Sequence, residues 1–132
     1  MKFLRKINPE WPLRIGLGLM YLYSGPSLIT NTKFWYGYTP IWFLKIISRF
    51  TTIDTYLKFQ GGVEVLFGIV FLLWLLPYRL VKIVTVLAAI QMVLILLFVR
   101  VNIVTFRDLA TLGGLLALFI ILHRMGSENT SR

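Results

Sequence analysis

The chain has 132 residues, of which 58% are hydrophobic and 14% are charged, whereas about a quarter of a typical soluble domain is charged. A fold this small buries too little surface to hide so many apolar side chains from water, so the composition predicts an integral membrane protein without a separate soluble domain. Cysteine is absent and histidine occurs once, which excludes a thiolate metal site and a bis-histidine haem within one chain. We therefore expect no built-in cofactor and no metal.

Basic residues outnumber acidic residues by 14 to 5, for a formal net charge of +9. They lie beside apolar segments, a pattern typical of residues that orient a membrane protein and contact anionic lipid headgroups. We therefore expect the lipid bilayer as a partner and no nucleic acid.

Four segments are predicted to cross the membrane, since a span requires ~20 predominantly apolar residues. They are 12–29, 59–76, 83–99 and 107–124, the last with arginines snorkelling from its ends. A tight connection follows the second span, which makes the second and third helices antiparallel neighbours. The predicted fold is all-α: one domain over 1–132, a four-transmembrane-helix bundle with a short amphipathic interfacial helix between its first and second spans.

The first span is expected to be retained, because Arg14 interrupts the apolar run and no small-x-small cleavage site follows Tyr23. Arg14 lies near the start of this span, where it either snorkels to the headgroups or takes part in binding. Gly18, Tyr21 and Gly25 continue the same helical face.

The connection to the second span is dense in aromatic residues, and Gly37 and Pro40 mark turns in it. Over 40–52, polar residues recur on one helical face and apolar residues cover the rest. This pattern predicts a helix that lies in the headgroup plane. A folded cap over the bundle is compatible with the same pattern.

Glu64 lies about a third of the way into the second span, at a depth where an ionisable side chain usually faces a bundle interior or a cavity. Gln60, Gly61 and Gly68 share its face. Glu64 is therefore a candidate proton-handling group and Gln60 a candidate binding residue. The alternative is a carboxyl that ties helices together. Further candidate binding residues lie near the same level of the first span: Tyr21, Tyr23 and Ser24.

Two sequences, Thr51-x-x-Asp54 and Thr105-x-x-Asp108, match a capping-box variant and predict the starts of the second and fourth helices. Asp108 is thus expected as a cap residue and Arg107 as a membrane anchor. Both lie on the side of Gln60, however, and are candidate binding residues at the mouth of a cavity. Gln91 is predicted to form an interhelical hydrogen bond.

The distribution of Lys and Arg predicts the orientation. Eight lie on the side shared by the N-terminus, the 77–82 connection and the C-terminus, and six lie on the opposite side. Because cytoplasmic loops carry the excess of positive charge, we expect a multi-pass protein of the plasma membrane with both termini in the cytoplasm.

Four segments together resemble the DoxX family of membrane proteins. Residues 14–25 are similar to its opening span, 35–42 to the aromatic connection of one DoxX-like branch, 61–68 to its glutamate-bearing second helix and 107–114 to the start of its last helix. That branch often has a lysine where this chain has Pro26-Ser27-Leu28. The resemblance implies a four-helix membrane bundle that associates with oxidoreductases, as does the small membrane subunit of a thiosulfate:quinone oxidoreductase.

The sequence leaves two main functions open, and it does not establish whether the chain is an enzyme. The first is a membrane subunit of a quinone-linked redox assembly, in which Glu64 exchanges a proton with a bound quinone. The second is a non-catalytic scaffold within a larger membrane complex or a homo-oligomer. A third, a solute or proton carrier, lacks the inverted repeat or broken helix pair typical of transporters.

Overall fold

The computed structural model describes the backbone of residues 8–98 and 103–130 and the side chains of residues 8–97 and 107–125. The described backbone contains six α-helices and no β-strand, which confirms the predicted all-helical class. The helices are α1 (Glu10–Thr30), α2 (Thr32–Trp35), α3 (Ile41–Ile47), α4 (Ile53–Leu72), α5 (Tyr78–Phe98) and α6 (Ile103–Thr130). A short 3₁₀ turn, Tyr36–Tyr38, lies between α2 and α3.

Three helices, not the expected four, are long and apolar enough to cross a membrane within the described ranges. The qualifying segments are Ile53–Leu72, Tyr78–Leu97 and Arg107–Met125, which is compatible with a multi-pass membrane protein. Helix α1 is equally long, at 21 residues. It is less apolar because two charged residues, Glu10 and Arg14, lie in its first two turns and the small or polar segment 23–27 interrupts its second half.

Helices α1 and α4 form the most closely packed pair, and glycines allow this approach. A Cβ atom on Gly25 would lie 2.7 Å from the carbonyl oxygen of Gly61, and one on Gly18 would lie 3.2 Å from that of Gly68. The two pairs run in opposite directions along the helices, so α1 and α4 are antiparallel. The glycine faces predicted for both helices therefore meet each other.

Arg14 closes one end of this pair. Its side chain is 4% exposed; Nε donates to the carbonyl oxygen of Phe71 at 2.9 Å and Nη2 to that of Leu73 at 2.8 Å. Nη1 forms an ion pair with Glu10 at 2.9 Å. The last carbonyls of a helix have no partner within it, and Arg14 supplies donors to those of α4. The prediction that the Arg14 side chain snorkels to the headgroups, one of the two roles expected for it, is therefore wrong.

Helices α5 and α6 form the second close pair and complete the core with Phe67, Phe71 and Tyr21. At the Arg14 end, Trp11 packs on Trp74 with ring centroids 5.2 Å apart, and Lys82 contacts His123. The start of α1, the α4–α5 connection and the end of α6 therefore lie at one end of the bundle. The side of the membrane that this end occupies remains a prediction.

The segment between α1 and α4 folds back over the other end. Helix α3 covers only seven residues of the predicted 40–52, because the chain turns after Ile47, where the Ser48 hydroxyl donates to the carbonyl oxygen of Lys45. Its side chains are exposed or half-buried. The interfacial location of α3 remains a prediction.

Neither predicted capping box begins its helix. Thr52, not Thr51, caps α4, since its hydroxyl accepts the backbone N–H of Thr55 at 3.3 Å. Helix α6 is already helical at Ile103, so Thr105 lies inside it and Asp108 in its second turn. Asp108 is therefore not a cap residue.

Candidate functional site

A cavity of about 210 Å³ lies where the α1–α4 connection covers the bundle, and Glu64 is at its inner end. Thr39 of the connection is one of its polar side chains, and most of the others come from three helices. They are Ser24 of α1, Tyr56, Gln60 and Glu64 of α4, and Arg107 and Asp108 of α6. Residues far apart in sequence thus form one polar group, because α1, α4 and α6 converge at this end.

Glu64 is 3% exposed, and its carboxyl reaches across to α5. Gln91 Nε2 donates to Glu64 Oε1 at 3.1 Å, so the interhelical hydrogen bond predicted for Gln91 is present. The second carboxyl oxygen, Oε2, has no hydrogen-bond partner among the described residues, and the same holds for Gln91 Oε1. The Ser24 and Gln60 side chains are hydrogen-bonding neighbours of the Glu64 carboxyl. Because buried polar atoms of native proteins are nearly always paired, we expect Oε2 to bind one of these side chains, a water or a ligand.

Helix α1 contributes Ser24 to the lining of this cavity, whereas Tyr21 lies in the core beside it. In the register set by the paired glycines, Tyr21 lies at the level of Glu64, and Ser24 lies between the levels of Gln60 and Glu64. Tyr21 is fully buried, and its hydroxyl is a third buried polar atom without a described partner. Tyr21 packs edge-on against Phe67, with centroids 5.7 Å apart, which fixes its ring.

Arg107 and Asp108 lie at the outer part of the cavity. Arg107 Nη2 and Asp108 Oδ1 are 3.2 Å apart, and the Arg107 side chain is 41% exposed while that of Asp108 is 5% exposed. The arginine therefore connects a buried carboxylate to solvent. Both residues line the cavity, and this location is the one that the predicted binding role at a cavity mouth requires.

Aromatic and apolar side chains cover the polar group from the connection. Trp35, Tyr38 and Phe43 line the cavity, and Phe43 packs on Tyr56 with centroids 5.2 Å apart. The Tyr36 hydroxyl donates to Asp54 on α4, which holds the connection against the helix and raises the pKa of Tyr36 above its usual value. The connection therefore forms the folded cap over the bundle that was compatible with the sequence pattern.

Two predicted site residues lie elsewhere. Tyr23 is 77% exposed, because two residues advance a helix by about 200° and Tyr21 faces the interior. Arg14 lies at the opposite end of the bundle, against the end of α4.

The sequence missed the aromatic lining. Trp35, Tyr38, Phe43 and Tyr56 were visible as a dense aromatic segment and its neighbour, but their spacing does not show that they fold over Glu64. Gln91 was expected to form a hydrogen bond, but its partner could not be deduced. Only the packing of α5 against α4 reveals it.

The chemistry of the cavity suits a small planar molecule with hydrogen-bond acceptors. Flat rings line one part, and Ser24, Gln60 and Arg107 offer donors at another. At roughly 30 Å³ per water, the volume would hold several waters or one ring-sized group. Within the described residues, no three His, Cys, Asp or Glu side chains cluster as a metal site would require.

The sequence matches no protein-family model, and no curated protein and no solved structure shows significant similarity to it. The resemblance to the DoxX family therefore remains a prediction.

Proposed function

We propose that this chain is a DoxX-like, multi-pass subunit of the plasma membrane, with four membrane-crossing helices and cytoplasmic termini, that works in a quinone-linked oxidoreductase assembly. The close packing of α1 along α4 supports a fourth crossing helix, because the two share one face over their length. The observation that carries the function is the Glu64 cavity, in which a buried carboxyl lies beneath aromatic side chains and one of its oxygens has no hydrogen-bond partner among the described residues.

The residues of the cavity fit a quinone headgroup. Trp35, Tyr38 and Phe43 offer ring faces for stacking. The Ser24 hydroxyl, the Gln60 amide and the Arg107 guanidinium can donate to carbonyl oxygens. A quinone bound there would supply the two-electron, two-proton chemistry that the chain itself lacks.

Glu64 would exchange the proton. Gln91 holds Oε1 at 3.1 Å and so orients the carboxyl, while Oε2 is left to give or accept a hydrogen bond. A positioned side chain that transfers a proton accelerates such steps by ~10²–10⁴-fold. Asp108 at the outer part of the cavity is a second carboxyl that can carry the proton between solvent and Glu64, and the half-exposed Arg107 beside it stabilises its charged form.

Binding can be tested on the purified chain with a water-soluble, short-chain quinone, because quinones quench tryptophan fluorescence. We expect saturable quenching that is lost in Trp35→Phe and kept in Trp11→Phe, whose indole lies at the far end of the bundle. Gln60→Leu should weaken binding by about tenfold, the effect of one lost hydrogen bond of ~1.4 kcal/mol. Linear quenching that persists in Trp35→Phe would refute a quinone site here.

Proton handling requires a second measurement, quinone reduction by the assembly in native membranes. Glu64→Gln should keep the melting temperature and lower the activity, whereas Lys58→Gln, a loss of charge at an exposed residue of α4, should leave the activity unchanged. Full activity in Glu64→Gln would end the proton-handling proposal.

A non-catalytic scaffold is the second candidate, and the Gln91–Glu64 hydrogen bond favours it as a tie between α4 and α5. In that case Glu64→Gln is silent. Glu64→Leu then merely destabilises the bundle by ~1–3 kcal/mol, because Gln91 loses its partner.

A further inference from the structure

A second cavity, of about 370 Å³, is a groove between α5 and α6, and among the described residues Leu94 alone lines both this groove and the Glu64 cavity. All but one of its described lining side chains are apolar. They are Val86, Ala89, Ile90, Val93, Leu94, Leu112, Leu115, Leu116 and Phe119, with Thr85 as the exception. The Thr85 hydroxyl donates to the carbonyl oxygen of Val81 at 2.8 Å, so it is already satisfied. The groove therefore suits a hydrocarbon chain.

A basic pair lies at one end of this groove. Lys82 Nζ is 5.3 Å from the centroid of the Phe119 ring, which lines the groove, and 3.0 Å from His123 Nδ1. The imidazole of His123 stacks on the same ring, with centroids 6.0 Å apart. Lys82 precedes Thr85 by three residues and His123 follows Phe119 by four, so both continue the helical faces that form the groove.

The pair has hydrogen-bond donors to spare. An ammonium group has three N–H donors, and His123 Nδ1 accepts one from Lys82. Among the described residues, Lys82 Nζ has no second hydrogen-bond acceptor. The His123 tautomer that accepts at Nδ1 carries its hydrogen on Nε2, which is a further donor. Because Nε2 points away from the Nδ1 side of the ring, Lys82 supplies the donors for an anion, and His123 holds the ammonium group in place through Nδ1.

We propose that the α5–α6 groove and the Lys82–His123 pair form a binding site for an anionic phospholipid, with its phosphate against the pair and one acyl chain along the groove. The order of features matches such a lipid, since the cation lies at the helix ends and the apolar groove extends from it toward the bundle centre. A zwitterionic lipid would also present its own cation to Lys82. In the proposed orientation this end faces the cytoplasmic leaflet, where anionic lipids concentrate in many cells.

The test is native mass spectrometry of the detergent-purified chain, titrated with phosphatidylglycerol and, separately, with phosphatidylcholine of the same acyl chains. We expect the wild-type chain to retain phosphatidylglycerol preferentially. Lys82→Gln should lower that affinity about fivefold, the effect of one lysine at a membrane surface. Lys45→Gln, an equal change of charge on α3 at the other end of the bundle, should have no effect. Equal retention of both lipids, or unchanged retention in Lys82→Gln, would overturn the site.

A second variant tests the groove separately from the charge. Ala89→Phe should fill it and remove the lipid adduct while Lys82 remains, and Ala89→Leu gives a smaller change if the first variant does not fold. Millimolar inorganic phosphate should not displace the lipid; displacement would show a headgroup site without a groove. If phosphatidylglycerol is instead bound to a dimer of the chain and is lost when the dimer dissociates, the lipid lies between two copies, and this result would contradict the proposal. Glu64→Gln should bind lipid as the wild type does, whatever the outcome of the quinone experiments.

Discussion

Gly61 of α4 is the position at which a single methyl group should disturb the fold most specifically. A Cβ atom there would lie 2.6 Å from the carbonyl oxygen of Gly25 and 3.0 Å from Leu28 Cβ. The nearest atom belongs to the backbone of α1 and cannot rotate away, so Gly61→Ala forces the two helices apart by several tenths of an ångström. A gap of ~0.5–1 Å forfeits about a quarter to a half of the dispersion attraction of each facing atom pair.

The neighbouring residue provides a matched control. A Cβ atom on Gly62 would meet nothing within 4 Å, and both variants gain the same helix propensity, ~1 kcal/mol for Ala over Gly. The difference between Gly61→Ala and Gly62→Ala therefore isolates the steric term. Overpacking of this kind costs ~1–3 kcal/mol, which corresponds to a melting temperature lower by about 4–12 °C in a chain of this size.

Thermal unfolding of the two variants in the same detergent measures this difference. Because Gly61 precedes Glu64 by one helical turn, Gly61→Ala should also weaken quinone binding, whereas Gly62→Ala should not. Equal melting temperatures for the two variants would show that α1 and α4 do not approach as closely as the glycine contacts require.

Two further changes test the ends of α4. Arg14→Leu should destabilise the bundle by ~3–5 kcal/mol, because it removes the donors to the last carbonyls of α4 and leaves Glu10 buried without its cation. As a control, Arg49→Leu changes an exposed residue and should alter the melting temperature little. Equal losses of stability in the two variants would contradict the buried role of Arg14. Thr52→Ala should lower the stability by ~1 kcal/mol in thermal unfolding, because α4 loses its cap. A larger loss of stability in Thr51→Ala would show that Thr51, which the sequence pattern favoured, caps the helix instead.

The sequence by itself determined the class of this protein. A chain of 132 residues with 58% hydrophobic content cannot bury that content in a soluble fold, because burial scales with size. Helical periodicity then placed Gly18, Tyr21 and Gly25 on one face of α1, and Gln60, Gly61, Glu64 and Gly68 on one face of α4. These are local properties of one helix, which spacing alone reveals.

The tertiary structure decided which faces meet and what surrounds them. Arg14, expected either to snorkel or to bind, is buried against the end of α4, because three-dimensional proximity provides carbonyl acceptors that no local pattern records. The capping residues shifted for a related reason. The capping-box pattern favours Thr51, because Asp54 follows it by three residues, but the extended backbone at Thr52 lets the Thr52 hydroxyl reach the N–H of Thr55.

The cavity at Glu64 likewise arises from long-range packing. Ser24, Glu64 and Asp108 come from three helices separated by dozens of residues, and the aromatic cover comes from a fourth segment. Whether a buried carboxyl faces lipid, another helix or a cavity depends on the packing of α1, α5 and α6 around α4. Because those contacts are set by shape complementarity between whole helices, the sequence could nominate Glu64 and Gln60, and only the assembled bundle could supply Gln91, Tyr56 and Trp35 as their neighbours.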